Sequence, residues 1–205
     1  SKTGKIVKHG ILDLKGKVIV ENKFRELTVI GTNHMIVSLD KKAYYIANFV
    51  GQPLSAPYPS FFSDRIVSKN GKNGYLSLEG KLTIPLNYKS LYHLNSGYFS
   101  ASTLDDKSGL IDSLGQIIVP FDKHTINYVG EGIYSLVKTI NTKSNKSAVQ
   151  LFSMAKKRVI NAVAYEQVGL YKEGLLNVKL AGKIGYVNTD GKLVVPDSAT
   201  GWRCL

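Results

Sequence analysis

One short phrase recurs along this chain: HGILDLKGKVIV (9–20), NGYLSLEGKLTIP (73–85), SGLIDSLGQIIVP (108–120) and IGYVNTDGKLVVP (184–196), each a glycine, five residues and a second glycine. Self-similarity at a fixed period constrains the fold more tightly than composition does, because each repeat is one supersecondary unit that buries its apolar face only against its neighbours. The second glycine sets the period. Gly16, Gly51, Gly80, Gly115, the degenerate Lys156 and Gly191 lie 35, 29, 35, 41 and 35 residues apart. Two copies are worn: AYYIANFVGQPLS (43–55) has Tyr45 in place of the first glycine, and VQLFSMAKKRVIN (149–161) has lost both.

The chemistry of the phrase predicts strands. GILDL, GYLSL, GLIDS and GYVNT are rich in β-branched and large apolar residues, and KVIV, KLTIP, QIIVP or KLVVP follows each within three residues, which is the pattern of a β-hairpin. The link, as in Thr189-Asp190-Gly191, suits a type I turn closing on a residue with positive φ, where glycine meets no steric penalty. Pro85, Pro120 and Pro196 are expected to end the second strand, which then stops there or lies at a sheet edge, since proline donates nothing to a ladder. Between the phrases lies a second recurring block, as in YKSLYHLNSGYFSAS (88–102), INYVGEGIYSLVK (126–138) and VGLYKEGLLNVKL (168–180). Adding its two runs makes each unit a meander of about four short strands, and no helix of three turns is predicted.

The expected architecture is therefore all-β: about five to six antiparallel meanders of ~35 residues, arranged as in a β-propeller, in a single domain spanning 1–205. An open β-solenoid is the alternative. Asp13, Asp112 and Asn188 recur at one position after the first glycine, which points to turn-forming side chains bonded to nearby backbone N–H groups.

The units resemble the bacterial WG repeat, K-x-G-[YF]-[IV]-[DN]-x-x-G-K-x-[IV]-[IV]-P-x-x-[YF]-D followed by F-x-x-G-x-x-x-V. The match is close in KNGYLSLEGKLTIPLNY (72–88), KSGLIDSLGQIIVPFD (107–122) and KIGYVNTDGKLVVPD (183–197), with Phe24, Tyr88 and Phe121 near the aromatic position. Ser96-Gly97, Glu131-Gly132 and Glu173-Gly174 fall at the later glycine. The signature Trp before the first glycine is replaced by His9, Asn73, Ser108 and Ile184. The resemblance covers nearly the whole chain and implies the repeat architecture, but no single activity.

Charge sets the class of partner. Lys and Arg number 27 against 15 Asp and Glu, a net charge of +12, so acidic partners are attracted at low salt. From Ile133 to Tyr165 there is no acidic residue, whereas Lys138, Lys143, Lys146, Lys156, Lys157 and Arg158 are basic. This stretch reads either as a solvated loop beside a worn repeat or as an anion-binding face. No helix-turn-helix, zinc finger or RNA-binding aromatic signature supports nucleic acid. Tyr92 with His93, Tyr98, Tyr128, Tyr134 and Tyr171 lie in the more variable block, and there they either pack the core or supply amphipathic contact area to a protein or glycan.

Catalytic motifs are absent. Ser153-Met154-Ala155-Lys156 and Lys2-Thr3-Gly4 imitate the S-x-x-K and K-T-G boxes of penicillin-binding enzymes, but in reversed order and without an S-D-N box. The single Cys204 cannot form an internal disulfide, and His9, His34, His93 and His124 are scattered over different units, so neither a metal nor a cofactor site is predicted. The sequon at Asn145 has meaning only in a eukaryotic secreted protein. No apolar run reaches the ~20 residues of a spanning helix. The opening SKTGKIVKHG is neither a signal peptide nor an initiating Met, and reads as the start of a mature or excised piece.

The function expected is a non-enzymatic binding or scaffold module of a bacterial protein, at the cell envelope or secreted. It engages a protein or anionic polymer through loops and an aromatic-basic face. The alternative is a hydrolase-like site assembled from several repeats around Asp105, Asp106 or Glu131.

Overall fold

The computed structural model describes residues 6–62, 65–141 and 146–195, and every regular element among them is a β-strand. By contacts the chain divides into two compact units: Ser1–Leu91 with Ser113–Gly115, and Tyr92–Asp112 with Gln116–Leu205.

The first unit carries three sheets. β1 (His9–Leu12) pairs with β2 (Val18–Phe24); β3 (Glu26–Ile30), β4 (His34–Ser38) and β5 (Tyr44–Asn48) form a three-stranded sheet; β6 (Ser60–Phe61), β7 (Ile66–Lys69), β8 (Lys72–Leu76) and β9 (Leu82–Tyr88) form a four-stranded one. The second unit carries three four-stranded sheets. They are β10 (Ser90–Asn95), β11 (Tyr98–Ser102), β12 (Ser108–Asp112) and β13 (Ile117–Asp122); β14 (Thr125–Gly130), β15 (Ile133–Asn141), β16 (Lys146–Ser153) and β17 (Arg158–Val159); and β18 (Gln167–Lys172), β19 (Leu175–Leu180), β20 (Lys183–Val187) and β21 (Leu193–Val195). Each sheet runs in strict chain order with antiparallel neighbours, as in a propeller blade, and each of the four well-preserved phrases forms the last two strands of its sheet.

The two glycines of the phrase do different work. The second holds positive φ in its turn, 77° at Gly80 and 78° at Gly191. The residue opening that turn caps it as expected: Asp13 and Asn188 Oδ1 accept from the N–H of Lys17 and Lys192, and Asp112 Oδ1 from that of Gln116. The first glycine faces a bulge. Between Asn73↔Tyr88 and Tyr75↔Ile84 the outer strand carries extra residues opposite Gly74, whose missing Cβ would lie 2.6 Å from the Ile84 carbonyl oxygen. This bulge corrects one expectation. Strands β9 and β13 run through Pro85 and Pro120 instead of ending there, since a bulge on an edge strand asks no ladder donor of proline. Pro196 lies outside the described residues.

Turns in the intervening block are of the primed kind. Ser96-Gly97, Glu131-Gly132 and Glu173-Gly174 each take two consecutive positive φ values, as do Asn70-Gly71 and Ala181-Gly182, the geometry that matches strand twist in two-residue hairpin loops.

The core lies between successive sheets. Val20 and Phe24 meet Met35, Val37 and Ala47; Ile46 and Tyr58 meet Val67 and Leu76. Leu110 and Val119 meet Ile126, Tyr134, Leu136 and Phe152; Ile133, Val149 and Leu151 meet Leu176, Val178 and Val187. Alternation along a strand therefore serves two interfaces at once, with Tyr134 and Leu136 of β15 facing back and Ile133 facing forward.

The worn phrases keep the plan with substitute chemistry. At 43–55 the second strand shrinks to a bridge, Ala47↔Pro53. At 149–161 the turn is one residue longer, closing Ser153 on Arg158, and the positive φ (51°) falls on Lys157 rather than on Lys156. Strand β17 ends after two residues, and Asn161 replaces the missing ladder: its Oδ1 accepts from Leu151 N–H at 2.7 Å, while its Nδ2 donates to the carbonyls of Val149 and Val163.

Candidate functional site

The aromatic residues divide by burial. Tyr134 is 1% exposed, with the Tyr128 ring centroid 5.3 Å away and the Tyr98 ring edge-on at 6.3 Å. Desolvation pushes the Tyr134 hydroxyl up to about 12. Tyr171 packs on the Val129–Ile133–Leu176 cluster and donates its hydroxyl to the Asn188 carbonyl at 2.8 Å. Burial raises that hydroxyl to about 12 as well. The expected aromatic face is corrected accordingly: Tyr98, Tyr128, Tyr134 and Tyr171 fill inter-sheet space. Of the aromatic candidates, only Tyr92, 64% exposed, and His93 are exposed; the His93 ring sits 5.0 Å from that of Phe99.

The basic stretch does not converge. Lys146 opens β16 and Lys156, Lys157 and Arg158 follow its far end, so about seven strand residues, or ~23 Å, separate them. That is over twice the screening length of ~10 Å at 0.1 M salt. Two of the cations carry carboxylate partners from elements distant in sequence: Lys138 Nζ lies 2.7 Å from Asp122, and Lys156 Nζ 2.6 Å from Asp190. Lys143 lies outside the described residues. A single anion-binding face built from all six is thus corrected to two separated, partly neutralised groups.

The acidic candidates sit in turns. Asp105 is held down to about 2 by Lys107 and by the Thr103 hydroxyl, which suits a fixed charge and not a proton donor near neutrality. Asp106 takes φ 60° and Glu131 φ 52°; they belong to the β11–β12 and β14–β15 links. Among the described residues, no three His, Cys, Asp or Glu side chains cluster to hold a metal ion, and no helix is long and apolar enough to cross a membrane.

Two concavities in the second unit went unnoticed in the sequence. A groove of about 410 Å³ runs along β14, β15, β16 and the start of β18, lined by Asn127, Ser135, Ser147, Glu166, Gln167 and valines that include Val168. Among the described residues that line it, Glu166 is the only charged side chain, and its carboxylate accepts from Gly182 N–H at 3.2 Å. In a chain of net charge +12, the described lining of this groove therefore carries one acidic side chain and no basic one. A second cavity of about 290 Å³ is lined by Asp122, His124, Leu136, Lys138 and Gln150. Burial keeps His124 below the usual histidine range, and its Nε2 is buried without a hydrogen-bond partner. No sequence signal marks either concavity, because each is walled by residues of two successive sheets, and those residues are common ones.

No protein-family model and no curated protein matches the chain. Among solved structures it is similar to the computationally designed Ika8 protein, at 13% identity over 88% of this chain and 64% of that one, with a TM-score of 0.39. It is also similar to BamB from Moraxella catarrhalis, at 10% identity over 80% of this chain and 61% of that one, TM-score 0.35. A third is the WD40 β-propeller domain of Doa1, at 12% identity over 92% and 69%, TM-score 0.33. The chain thus spans less than two thirds of the length of the first two structures it resembles.

Proposed function

We propose that the chain is a non-enzymatic binding module of a bacterial protein of the cell envelope or secreted space. Its units are of the WG-repeat kind, and it engages an extended segment of a partner protein through the groove along β14–β16 and β18. The observation that carries this reading is the lining of that groove. Amide and hydroxyl groups of Asn127, Gln167 and Ser147 lie beside the half-buried Val137 and Val168, the combination that satisfies a peptide backbone while burying alternate side chains. With Glu166 as the only charge among its described lining residues, the groove favours neutral or cationic segments over the anionic polymers that the net charge attracts to the rest of the surface.

Asp105, Asp106 and Glu131 line neither concavity, which weighs against the hydrolase-like alternative. Reproducible turnover of a glycan, peptide or ester substrate, abolished by changing one of these carboxylates, overturns the non-enzymatic reading.

The binding test uses a labelled peptide of alternating Thr and Val with one central Lys, and the same peptide with glutamate in place of that lysine. Fluorescence anisotropy is expected to show tighter binding of the lysine peptide, weakened about tenfold by Val168→Asp or Glu166→Lys. Equal binding of both peptides, or binding unaffected by either substitution, defeats the proposal, as does a heparin fragment that competes for the groove.

A further inference from the structure

The internal repeat supplies a reference for each sheet, and one sheet of the second unit departs from it at a single place. In the sheets of β1–β2 and β6–β9, the residue that opens the phrase pairs with an aromatic residue eight positions after the second glycine: His9 with Phe24, and Asn73 with Tyr88. On β12 and β13 the partner arrives one residue sooner, so Ser108 pairs with Asp122. The aromatic residue of that copy stands just before it, at Phe121, whose ring lies 2.9 Å from where a β-carbon of Gly109 would be.

The consequence is open space where a sister sheet holds a ring. Phe24 is fully buried in one cluster with Met35 and Val37 of the next sheet. Val37 is the fourth residue of β4, and Leu136 is the fourth of β15. Beside Leu136 lies the cavity of about 290 Å³, with Asp122, Lys138 and Gln150 as its polar wall and Leu136, Ala148 and Ala164 as its apolar one. That volume falls at the small end of ligand pockets and suits one ring-bearing metabolite.

The described lining carries one carboxylate and one ammonium. Lys138 Nζ lies 2.7 Å from Asp122 Oδ2, and Lys123 N–H donates to Asp122 Oδ1 at 2.7 Å, which orients the carboxylate. The ion pair is about half-exposed. Such a pair contributes little to stability, so separating it costs little. A ligand that bears both charges replaces that one contact with two, its ammonium on Asp122 and its carboxylate on Lys138, while the Gln150 amide offers a donor and an acceptor. Burial keeps His124 below the usual histidine range, so at neutral pH it adds no charge to the wall.

We propose that this cavity binds a free aromatic α-amino acid, its ring in the place equivalent to that of Phe24 and its two charges on Asp122 and Lys138. This inference goes beyond the peptide groove and does not depend on it.

Isothermal titration calorimetry of the full chain with L-phenylalanine is expected to show one site. Binding is about tenfold or more tighter than that of 2-phenylethylamine, which lacks the carboxylate, of 3-phenylpropanoate, which lacks the ammonium, or of L-alanine, which lacks the ring. Asp122→Asn and Lys138→Met each weaken it about tenfold or more. Asp122→Phe, which puts a ring back beside Leu136, abolishes it with unchanged circular dichroism; if that spectrum changes, the other two variants decide alone. No heat at millimolar L-phenylalanine overturns the proposal. So does equal binding of all four ligands, binding that survives the substitutions, or displacement by the Thr-Val peptide, which places the ligand in the groove instead.

Discussion

The hairpin at 73–85 and its worn counterpart at 149–161 occupy the same place in their sheets and reach it by different chemistry. In the first, Gly80 supplies both a positive φ and the room for close approach to the Leu54 carbonyl. In the second, one added turn residue moves the positive φ to Lys157, which is exposed and asks for no such room, and Asn161 replaces a shortened strand with three side-chain hydrogen bonds. The repeat therefore conserves a set of satisfied backbone groups and one tight inter-sheet approach; residue identity is only one way of meeting them.

The sharpest way to break this comparison is alanine at two equivalent glycines. Gly80→Ala forces a Cβ both into positive φ and against the Leu54 carbonyl, and is expected to cost about 3–4 kcal/mol. Gly16→Ala has the same φ problem, 82°, but open space, and is expected to cost only about 1–2 kcal/mol. Urea denaturation midpoints decide it: equal costs mean that the close approach carries no weight. Next in size is Asn161→Ala, which strands the buried Leu151 N–H, while the Val149 carbonyl keeps its bond from Tyr165 N–H, and is expected to cost roughly 1–3 kcal/mol. If the loss is below that of an exposed asparagine such as Asn127, Asn161 is no substitute for the ladder.

A smaller effect concerns the two buried phenols. Tyr134 and Tyr171 are held near 12 by burial, above their value of 10.0 in the unfolded chain. Their contribution is intact below pH ~10 and fades as pH rises towards ~12. Thermal melts at stepped alkaline pH should show that decline, blunted in the Tyr134→Phe, Tyr171→Phe chain; an identical decline in that chain removes these residues as its cause. Smallest of all, replacing Lys156, Lys157 and Arg158 by alanine should shift elution from heparin no more than replacing Lys15, Lys17 and Lys23. A distinctly larger shift would restore a local anion site at the worn turn.

What the sequence discloses is what is local. The glycine spacing, the capping Asp13, Asp112 and Asn188, and the alternation of the runs all concern residues within a few positions of one another, and the hairpins form there. Pro85 and Pro120 mislead because the bulge that accommodates them depends on a neighbouring strand. The basic stretch misleads for the same reason: the carboxylates that neutralise Lys138 and Lys156 arrive from Asp122 on β13 and from Asp190 in the β20–β21 turn. Tyr98, Tyr128 and Tyr134 read equally as a sticky surface or as core, since a phenol ring suits both, and only the packing of one sheet on the next assigns them. Asn161 gives no signal at all, being an ordinary polar residue in a degenerate phrase.

Pairing confined to sequence neighbours also fixes how the chain is made. At ~5–20 residues per second, a unit of about 35 residues takes roughly 2–7 s to leave the ribosome, while a hairpin closes in ~1–10 μs. Each sheet is therefore zipped long before its successor exists. Throughout those seconds its forward apolar surface stays bare, so the nascent chain always carries one sticky end, and a pause in translation at a unit boundary exposes it for longer than hairpin closure takes by many orders of magnitude.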